Sequence, residues 1–353
     1  MSYFKIQMSQ QIDSKLLSNK LNNRGWNVQY KIAGTSGWVI AGSSRAAEST
    51  GFYIIQAGIF LDAGMVCREW KNGTVLLTHN HLDHAGQLPN LLRGWTYFPT
   101  TIGSKSSIKR AYEFTKASQM MKISEGEELK FNYKHADEKW DRSAPLVDVQ
   151  FGCWVPVEAQ QTFPLSTANV IKQYNLKLHD WSKKQIEKGG MKSQLYATAI
   201  QCFHEVDSVG YVMYQEVKRL RSDLKNLSNA EIAAKAKSGE QVNEVVKEYK
   251  LAYLCDTSIE VFDVKENNDL IWKAPAVMIE CTFLEKEMES KAKEDGHICW
   301  SLLSKVVDEH PETEFILFHF SLRYTDVEIK TFFNQLPGGK PSNVKLWLDE
   351  EVY

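Results

Sequence analysis

The run Thr78-His79-Asn80-His81-Leu82-Asp83-His84-Ala85-Gly86 constrains this chain more than any other feature. It gathers three imidazoles and a carboxylate, all able to hold a metal, directly after Thr74-Val-Leu-Leu-Thr78, whose β-branched and apolar residues predict a buried strand. A loop leaving such a strand can turn all four side chains toward one point. Neutral imidazole is a frequent zinc ligand, and a carboxylate adds a hard oxygen suited to a second ion. A solvated polar loop has no need of so dense a group of histidines.

The rest of the chain reads as a mixed α/β protein without repeats or low-complexity tracts. With 353 residues, 43% hydrophobic and 24% charged, it has globular composition and length for one elaborate domain or two small ones. No stretch approaches about 18 apolar residues. MSYFKIQMSQQIDSKLLSNK lacks the apolar core and small-residue cleavage site of a secretory signal. The expectation is an intracellular, cytoplasmic protein with no membrane span. The six cysteines are scattered without a CxxC pair, which reads as reduced core thiols. A net charge of −2 points to no partner, since a nucleic-acid binder of this composition has to gather its positive charge locally.

Within 27–62, the runs NVQYKIA, GWVIA, GFYIIQ and IFLDA lie between glycine and serine turns and predict an antiparallel opening sheet. AGQLPNLLRG opens a helix after the histidines. Later strand candidates are YATAIQCF, VGYVMY, KLAYLC, APAVMIE, EFILFHF and NVKLWL, with helical patterns near 285–295, 298–309 and 324–335. Two sheets with helices outside would produce this mixture.

HNHLDH resembles the HxHxDH signature of the metallo-β-lactamase superfamily. The resemblance implies an αββα sandwich, two mixed sheets with helices outside, over residues 25–353 after an N-terminal extension, 1–24. It also implies further ligands in order: His204 at the end of YATAIQCF, Asp256 after KLAYLC, and His319 after EFILF. By the resemblance, His79, His81 and His204 hold one divalent ion, Asp83, His84 and His319 hold a second, and Asp256 bridges them. Zinc suits the histidine-rich set, and Mn2+ or Fe2+ fit the same ligand types. Two such cations lower the pKa of a shared water, so the implied reaction is hydroxide attack on a phosphodiester. Asp62, at the end of IFLDAG, matches an aspartate that orients a histidine from behind; read alone it is also an ordinary turn carboxylate before Gly64.

Three further segments are similar to those of the ribonuclease Z group: His204-Glu-Val-Asp-Ser208-Val-Gly210-Tyr211 to HxxxSxGY, Leu254-Cys255-Asp256-Thr257 to a GDT stretch, and His319-Phe-Ser321-Leu-Arg323-Tyr324 to HFSxRY. Two others are degraded. Ile279-Glu280-Cys281-Thr282 resembles HEAT with its histidine replaced, and Gly296-His297-Ile298-Cys299 resembles HST with Ile-Cys in place of Ser-Thr. The resemblance implies a metal-dependent endoribonuclease that cuts at the 3′ end of precursor tRNA, as a homodimer. Glu280 and His297 survive as a carboxylate–imidazole pair, and His297 is the candidate general acid for a ribose leaving group. Ser208 would support the centre and Arg323 would meet phosphate.

The group generally carries a protruding arm between the His204-like and Asp256-like positions, and here 215–248 has one glycine and no proline and reads as one or two short helices, a reduced arm. Its Lys218, Arg219 and Arg221 are either phosphate contacts or a solvated helix face. The stretch 128–190 reads as an insertion, whose Phe131, Tyr133, Trp140, Phe151, Trp154, Phe163, Tyr174 and Trp181 stack bases or build a satellite core. Two other readings stay open: a phosphodiesterase for a small substrate such as a cyclic nucleotide, favoured by the reduced arm, and a non-catalytic scaffold, disfavoured by the filled ligand positions.

Overall fold

The computed structural model describes residues 26–67, 73–92, 98–120, 140, 142–148, 151–177 and 194–353. One sheet contains β1 (Gln29–Lys31), β2 (Val39–Arg45), β3 (Ser49–Ile54), β4 (Ile59–Leu61), β5 (Thr74–Leu76), β6 (Thr100–Ser104), β7 (Leu146–Asp148) and β8 (Gly152–Val157). The other contains β9 (Thr162–Pro164), β10 (Leu195–Gln201), β11 (Val209–Leu220), β12 (Asn243–Leu254), β13 (Ala276–Glu280), β14 (Glu314–Phe318) and β15 (Val344–Leu346). Their spatial orders are β1-β2-β3-β4-β5-β6-β8-β7 and β15-β14-β13-β12-β11-β10-β9. β1 to β4 pair antiparallel, as the opening runs predict, and β4, β5, β6 and β8 then run parallel. The second sheet changes in the same way: β9 to β12 alternate, and β12 to β15 are parallel.

The parallel strands are apolar at successive positions because both faces are covered. In β14, Ile316 and Phe318 enter the core between the sheets, whereas Phe315 and Leu317 enter the outer core beneath Ile271, Leu303, Ile329 and Phe333. On the other side, Val75 and Leu77 face Leu88, Ile108 and Tyr112 from the helical layer, while Leu76 points inward. The layers are helix, sheet, sheet, helix, the αββα sandwich. Between the sheets, Phe52 meets Trp347 and Phe318 edge-on at centroid distances of 5.0 and 5.3 Å, and Tyr253 stacks on Phe318 at 5.6 Å. Such pairs contribute about 0.5–1.5 kcal/mol each beyond area burial. The Tyr253 hydroxyl donates to Asp62 Oδ2 at 2.8 Å, so this packing also fixes the floor of the site described below.

Several local expectations change. Within AGQLPNLLRG the described residues form only a single helical turn, Leu88–Leu91, with Pro89 in its first turn, preceded by a separate turn at Leu82–Ala85; Arg93 and Gly94 lie outside the described residues. Proline tolerates a first turn but not a helix interior. The segment 215–248 contains one α-helix, Asn229–Lys237, where Ser228 and Glu231 form a capping box. Its flanks extend β11 and β12 as a ribbon, with Val217 opposite Val246 and Leu220 opposite Asn243. Cross-strand pairing there overrides the helix-favouring composition of Glu216–Leu220.

Part of 128–190 is framework: β7 and β8 join the first sheet, β9 joins the second, and Trp154 and Phe163 are fully buried in their cores. Phe131, Tyr133 and Trp181 lie outside the described residues, as does the extension 1–24. No helix among the described residues is long and apolar enough to cross a membrane.

Candidate metal centre

The donors converge because each lies at or just past the carboxyl end of a strand, on one edge of the sandwich. Asp62 follows β4, His79 and His81 follow β5, His204 follows β10, Asp256 follows β12, and His319 follows β14, while Glu280 ends β13. Two of these positions have left-handed backbone, Asp62 at φ 59° and His319 at φ 61°. Such conformations cost about 1–3 kcal/mol and persist where the surroundings impose them. Here they turn the side chains off the strand direction.

Asp256 stands in the middle. Its Oδ2 is 3.6 Å from His79 Nε2, 3.4 Å from His84 Nε2 and 3.8 Å from His204 Nε2, and its Oδ1 is 3.3 Å from His319 Nε2. On one side His81 Nδ1 lies 3.1 Å from His204 Nε2. On the other, His84 Nε2 and His319 Nε2 are 3.2 Å apart, with Asp83 Oδ2 at 3.3 and 3.5 Å from them. The structure thus brings together all seven ligand candidates, as His79, His81, His204 and Asp256 in one group and Asp83, His84 and His319 in another.

The outer hydrogen bonds decide which nitrogen is free. His84 Nδ1 lies 3.2 Å from Asp62, His79 Nδ1 3.0 Å from the Thr78 hydroxyl, His204 Nδ1 3.0 Å from the Gly296 carbonyl, and His319 Nδ1 3.1 Å from the Thr282 hydroxyl. Each arrangement leaves Nε2 facing the centre, the usual way ligating imidazoles are oriented. His79 Nε2 is buried and has no hydrogen-bond partner, an expensive vacancy for a polar atom that a cation would fill. The donor set therefore fits divalent metal ions.

Charge points the same way. Burial alone would raise the Asp256 carboxyl, but the His319 and His84 imidazoles hold it well below the usual range. Burial of His79 lowers its pKa and keeps it a neutral donor. Asp83 is likewise held low, by His319 and His84 against its own burial, and accepts the Ala47 N–H at 2.9 Å.

Beside the centre, Glu280 is completely buried and accepts from Thr257 N at 2.9 Å, Ile298 N at 3.2 Å and the Thr282 hydroxyl at 2.6 Å. Its Oε1 is 2.8 Å from His297 Nδ1. Burial would lower the His297 pKa, and the Glu280 carboxylate outweighs it, so His297 is pushed up to about 9. The His297 ring lies 4.9 Å from that of His204 and 5.5 Å from that of His319.

The remaining candidates are placed as follows. Asp62 is 1% exposed and accepts from Thr78 N at 2.8 Å as well as from Tyr253. Ser208 donates to the Asp256 backbone carbonyl at 3.1 Å, not to its carboxylate. Arg323 is exposed, over the Phe283 ring and 3.3 Å from the Ser321 hydroxyl. Lys218, Arg219 and Arg221 are far away: from Val209 beside the centre, β11 runs on for roughly 30–40 Å at ~3.3 Å per residue before reaching them. There Arg219 is ion-paired with Glu248, and Arg221 with Asp223 and Glu240, while Lys218 is exposed.

Sequence reasoning missed Thr78, Thr282, Tyr253 and the Gly296 carbonyl. Gly296 has φ 68°, and a Cβ there would come within 2.9 Å of His204 Cα, so only glycine lets its carbonyl reach His204. A Cβ on Gly64 would meet the Asp83 carbonyl oxygen at 1.6 Å.

No family model matches the chain. The sequence is 26% identical over 306 residues to tRNase Z TRZ1 of Arabidopsis thaliana, covering 85% of this chain and 91% of that protein. It is also 26% identical over 141 residues, 40% of each chain, to the chloroplastic tRNase Z TRZ2 of the same plant. Among solved structures, the metallo-β-lactamase fold protein YhfI of Bacillus subtilis aligns over 88% of this chain and 96% of its own, with 12% identity and a TM-score of 0.46. The short form of human tRNase Z aligns over 94% and 96%, with 16% identity and a TM-score of 0.44. In sequence the chain is similar to tRNase Z TRZ1 along most of its length, and it folds into the αββα sandwich that its histidine motif implies.

Proposed function

We propose that the protein is a metal-dependent phosphodiesterase of tRNase Z type, which holds two divalent ions, zinc by preference, and cuts RNA at the 3′ end of precursor tRNA. The observation that carries this reading is the His297–Glu280 pair beside a seven-donor cradle, in a chain similar to tRNase Z over most of its length. His79, His81 and His204 would hold one ion, Asp83, His84 and His319 the other, and Asp256 both. The ions would supply Lewis acidity at phosphorus and an activated water.

The protein's own groups do the rest. Asp62 fixes the face that His84 presents, and Thr282 does the same for His319 while donating to Glu280. Glu280 occupies His297 Nδ1 and favours the imidazolium, so His297 enters the reaction carrying the proton that a departing ribose oxygen requires. Arg323, exposed and four residues after His319, would meet a flanking phosphate.

A second reading, a small-substrate phosphodiesterase acting on a cyclic nucleotide, draws support from the ion-paired state of Arg219 and Arg221. Elemental analysis of purified protein, followed by side-by-side assays on precursor tRNA and cyclic nucleotides, separates the two. Close to two ions per chain and cleavage at the tRNA 3′ end are expected. Protein that binds no transition metal after reconstitution refutes the metal centre, and efficient opening of a cyclic nucleotide with intact precursor RNA refutes the substrate.

A further inference from the structure

A cavity of about 330 Å3 opens beside the metal centre, between the histidine loop, the helix Lys105–Met120 and the loop after β10. Its wall includes Asn80, Leu82, Arg110, Phe114 and Val206, and His81 belongs to both the cavity and the ligand group. Whatever sits in it is one side chain from the reacting phosphate.

Three features describe the occupant. First, the wall offers flat apolar surface, and Leu82 and Phe114 remain 73% and 38% exposed, an exposure of large apolar side chains that marks interaction surface. Second, Asn80 donates through Nδ2 to the Ser107 carbonyl at 2.9 Å, which fixes its amide, while its Oδ1 is buried without a partner. That bond holds the Asn80 side chain as a fixed polar edge of the cavity wall. Third, Arg110 stands exposed at the rim as a cation. The walls are tied together, because Ser106 donates to the Asp207 carboxylate and the Ser107 hydroxyl to the Asp207 carbonyl at 3.0 Å.

A planar ring linked to an anion has the complementary chemistry. We infer that this cavity is a nucleobase subsite: it takes the base of a nucleotide adjoining the scissile phosphate against Phe114 and Leu82, with Arg110 meeting the next phosphate. Unstacked bases of single-stranded RNA are recognised in this way, on aromatic faces. The inference rests on the phosphodiesterase reading above, but its test does not require turnover.

Metal-free, full-length protein is titrated with adenosine, cytidine, guanosine and uridine and with the dinucleoside monophosphate CpA, read by calorimetry and ligand-observed NMR. Saturable binding is expected, tighter for CpA than for the nucleosides. Phe114→Ala should weaken it about 5- to 140-fold, since aromatic stacking carries an affinity of that order. Phe114→Trp should preserve it, and Arg110→Ala should weaken CpA alone. Circular dichroism confirms that each variant is folded. No saturable binding to wild-type protein, or equal binding by Phe114→Ala, overturns the inference. So does a finding by sedimentation that Phe114→Ala splits a dimer while leaving nucleoside binding unchanged, which would make this face a contact between copies. If nucleosides bind as expected but metal-loaded protein cuts no RNA, the subsite stands and the substrate reading falls.

Discussion

Replacing Thr282 with valine keeps the shape of the side chain and removes a hydroxyl that serves two groups at once. That hydroxyl donates to Glu280 Oε2 at 2.6 Å and lies 3.1 Å from His319 Nδ1. After the change Glu280 Oε2 still accepts from Ile298 N at 3.2 Å, so the carboxylate keeps a partner. His319 does not: with Nε2 facing Asp256, its Nδ1–H is left buried without an acceptor. A buried unsatisfied donor costs about 1–3 kcal/mol. The imidazole can escape this cost by turning, and turning takes Nε2 away from the centre. Losing such an outer partner typically weakens metal binding about 10- to 100-fold, or roughly 1.4–2.7 kcal/mol, consistent with the hydrogen-bond estimate. The assay is chelator competition on wild type, Thr282→Val and Thr282→Ser, with denaturant unfolding of the metal-free forms as a control. Serine restores the hydroxyl and should restore affinity. If the valine variant holds metal as tightly as wild type, the idea that Thr282 sets the His319 ring is wrong.

Asp256→Ala should lower the content of both ions together, since its two oxygens face both groups; elemental analysis showing one ion fully retained would contradict a shared carboxylate. His297→Ala should slow cleavage of a ribose leaving group about 10²–10⁴-fold and leave an aryl phosphodiester nearly untouched, and equal losses on both would assign His297 to structure. In Glu280→Gln the pH profile should move: His297 gives a proton only while protonated, and burial and the nearby cations lower its pKa once the carboxylate that raises it to about 9 is gone. The alkaline fall in kcat/KM should shift to lower pH by a unit or more, with activity recovered on acidification, and an unmoved limb counts against the pair. Lys218→Ala should raise the KM for precursor tRNA and leave a small phosphodiester unaffected, which steady-state kinetics on the two substrates checks.

The parts of the site legible in the sequence share a signature. His79, His81, Asp83 and His84 are adjacent in sequence, and His204, Asp256 and His319 each end an apolar run, because β10, β12 and β14 are buried along the stretch that leads to the site. The supporting groups have no such mark. Tyr253 looks like any core aromatic, the Gly296 carbonyl and the Ala47 N–H are backbone atoms, and Thr282 is informative only once folding sets it between Glu280 and His319. Helix Lys105–Met120 is not legible in the sequence, because its lysines and serines mask the apolar face of Ile108, Ala111 and Tyr112. The strands β7 and β9 have three residues each, too few to display alternation.

The ribbon formed by β11 and β12 bears on what the protein can grip. Both strands leave the sheet at the edge opposite the donors, since Val209 and Leu254 lie at the centre while Leu220 and Asn243 face each other at the far end. Only a substrate some tens of ångströms long touches both places, which a cyclic nucleotide does not. Yet its basic residues are matched almost one for one by acidic ones, and the pairs Arg219–Glu248 and Arg221–Asp223 occupy the guanidinium groups. Exposed ion pairs are worth only about 0–1 kcal/mol, so RNA phosphate can displace the carboxylates, but it gains little by doing so, because the freed acid remains beside it. Lys218 has no such competitor among the described residues, and on the proposed function the Lys218, Arg219 and Arg221 cluster should contribute to the salt dependence of RNA binding as roughly one phosphate contact rather than three.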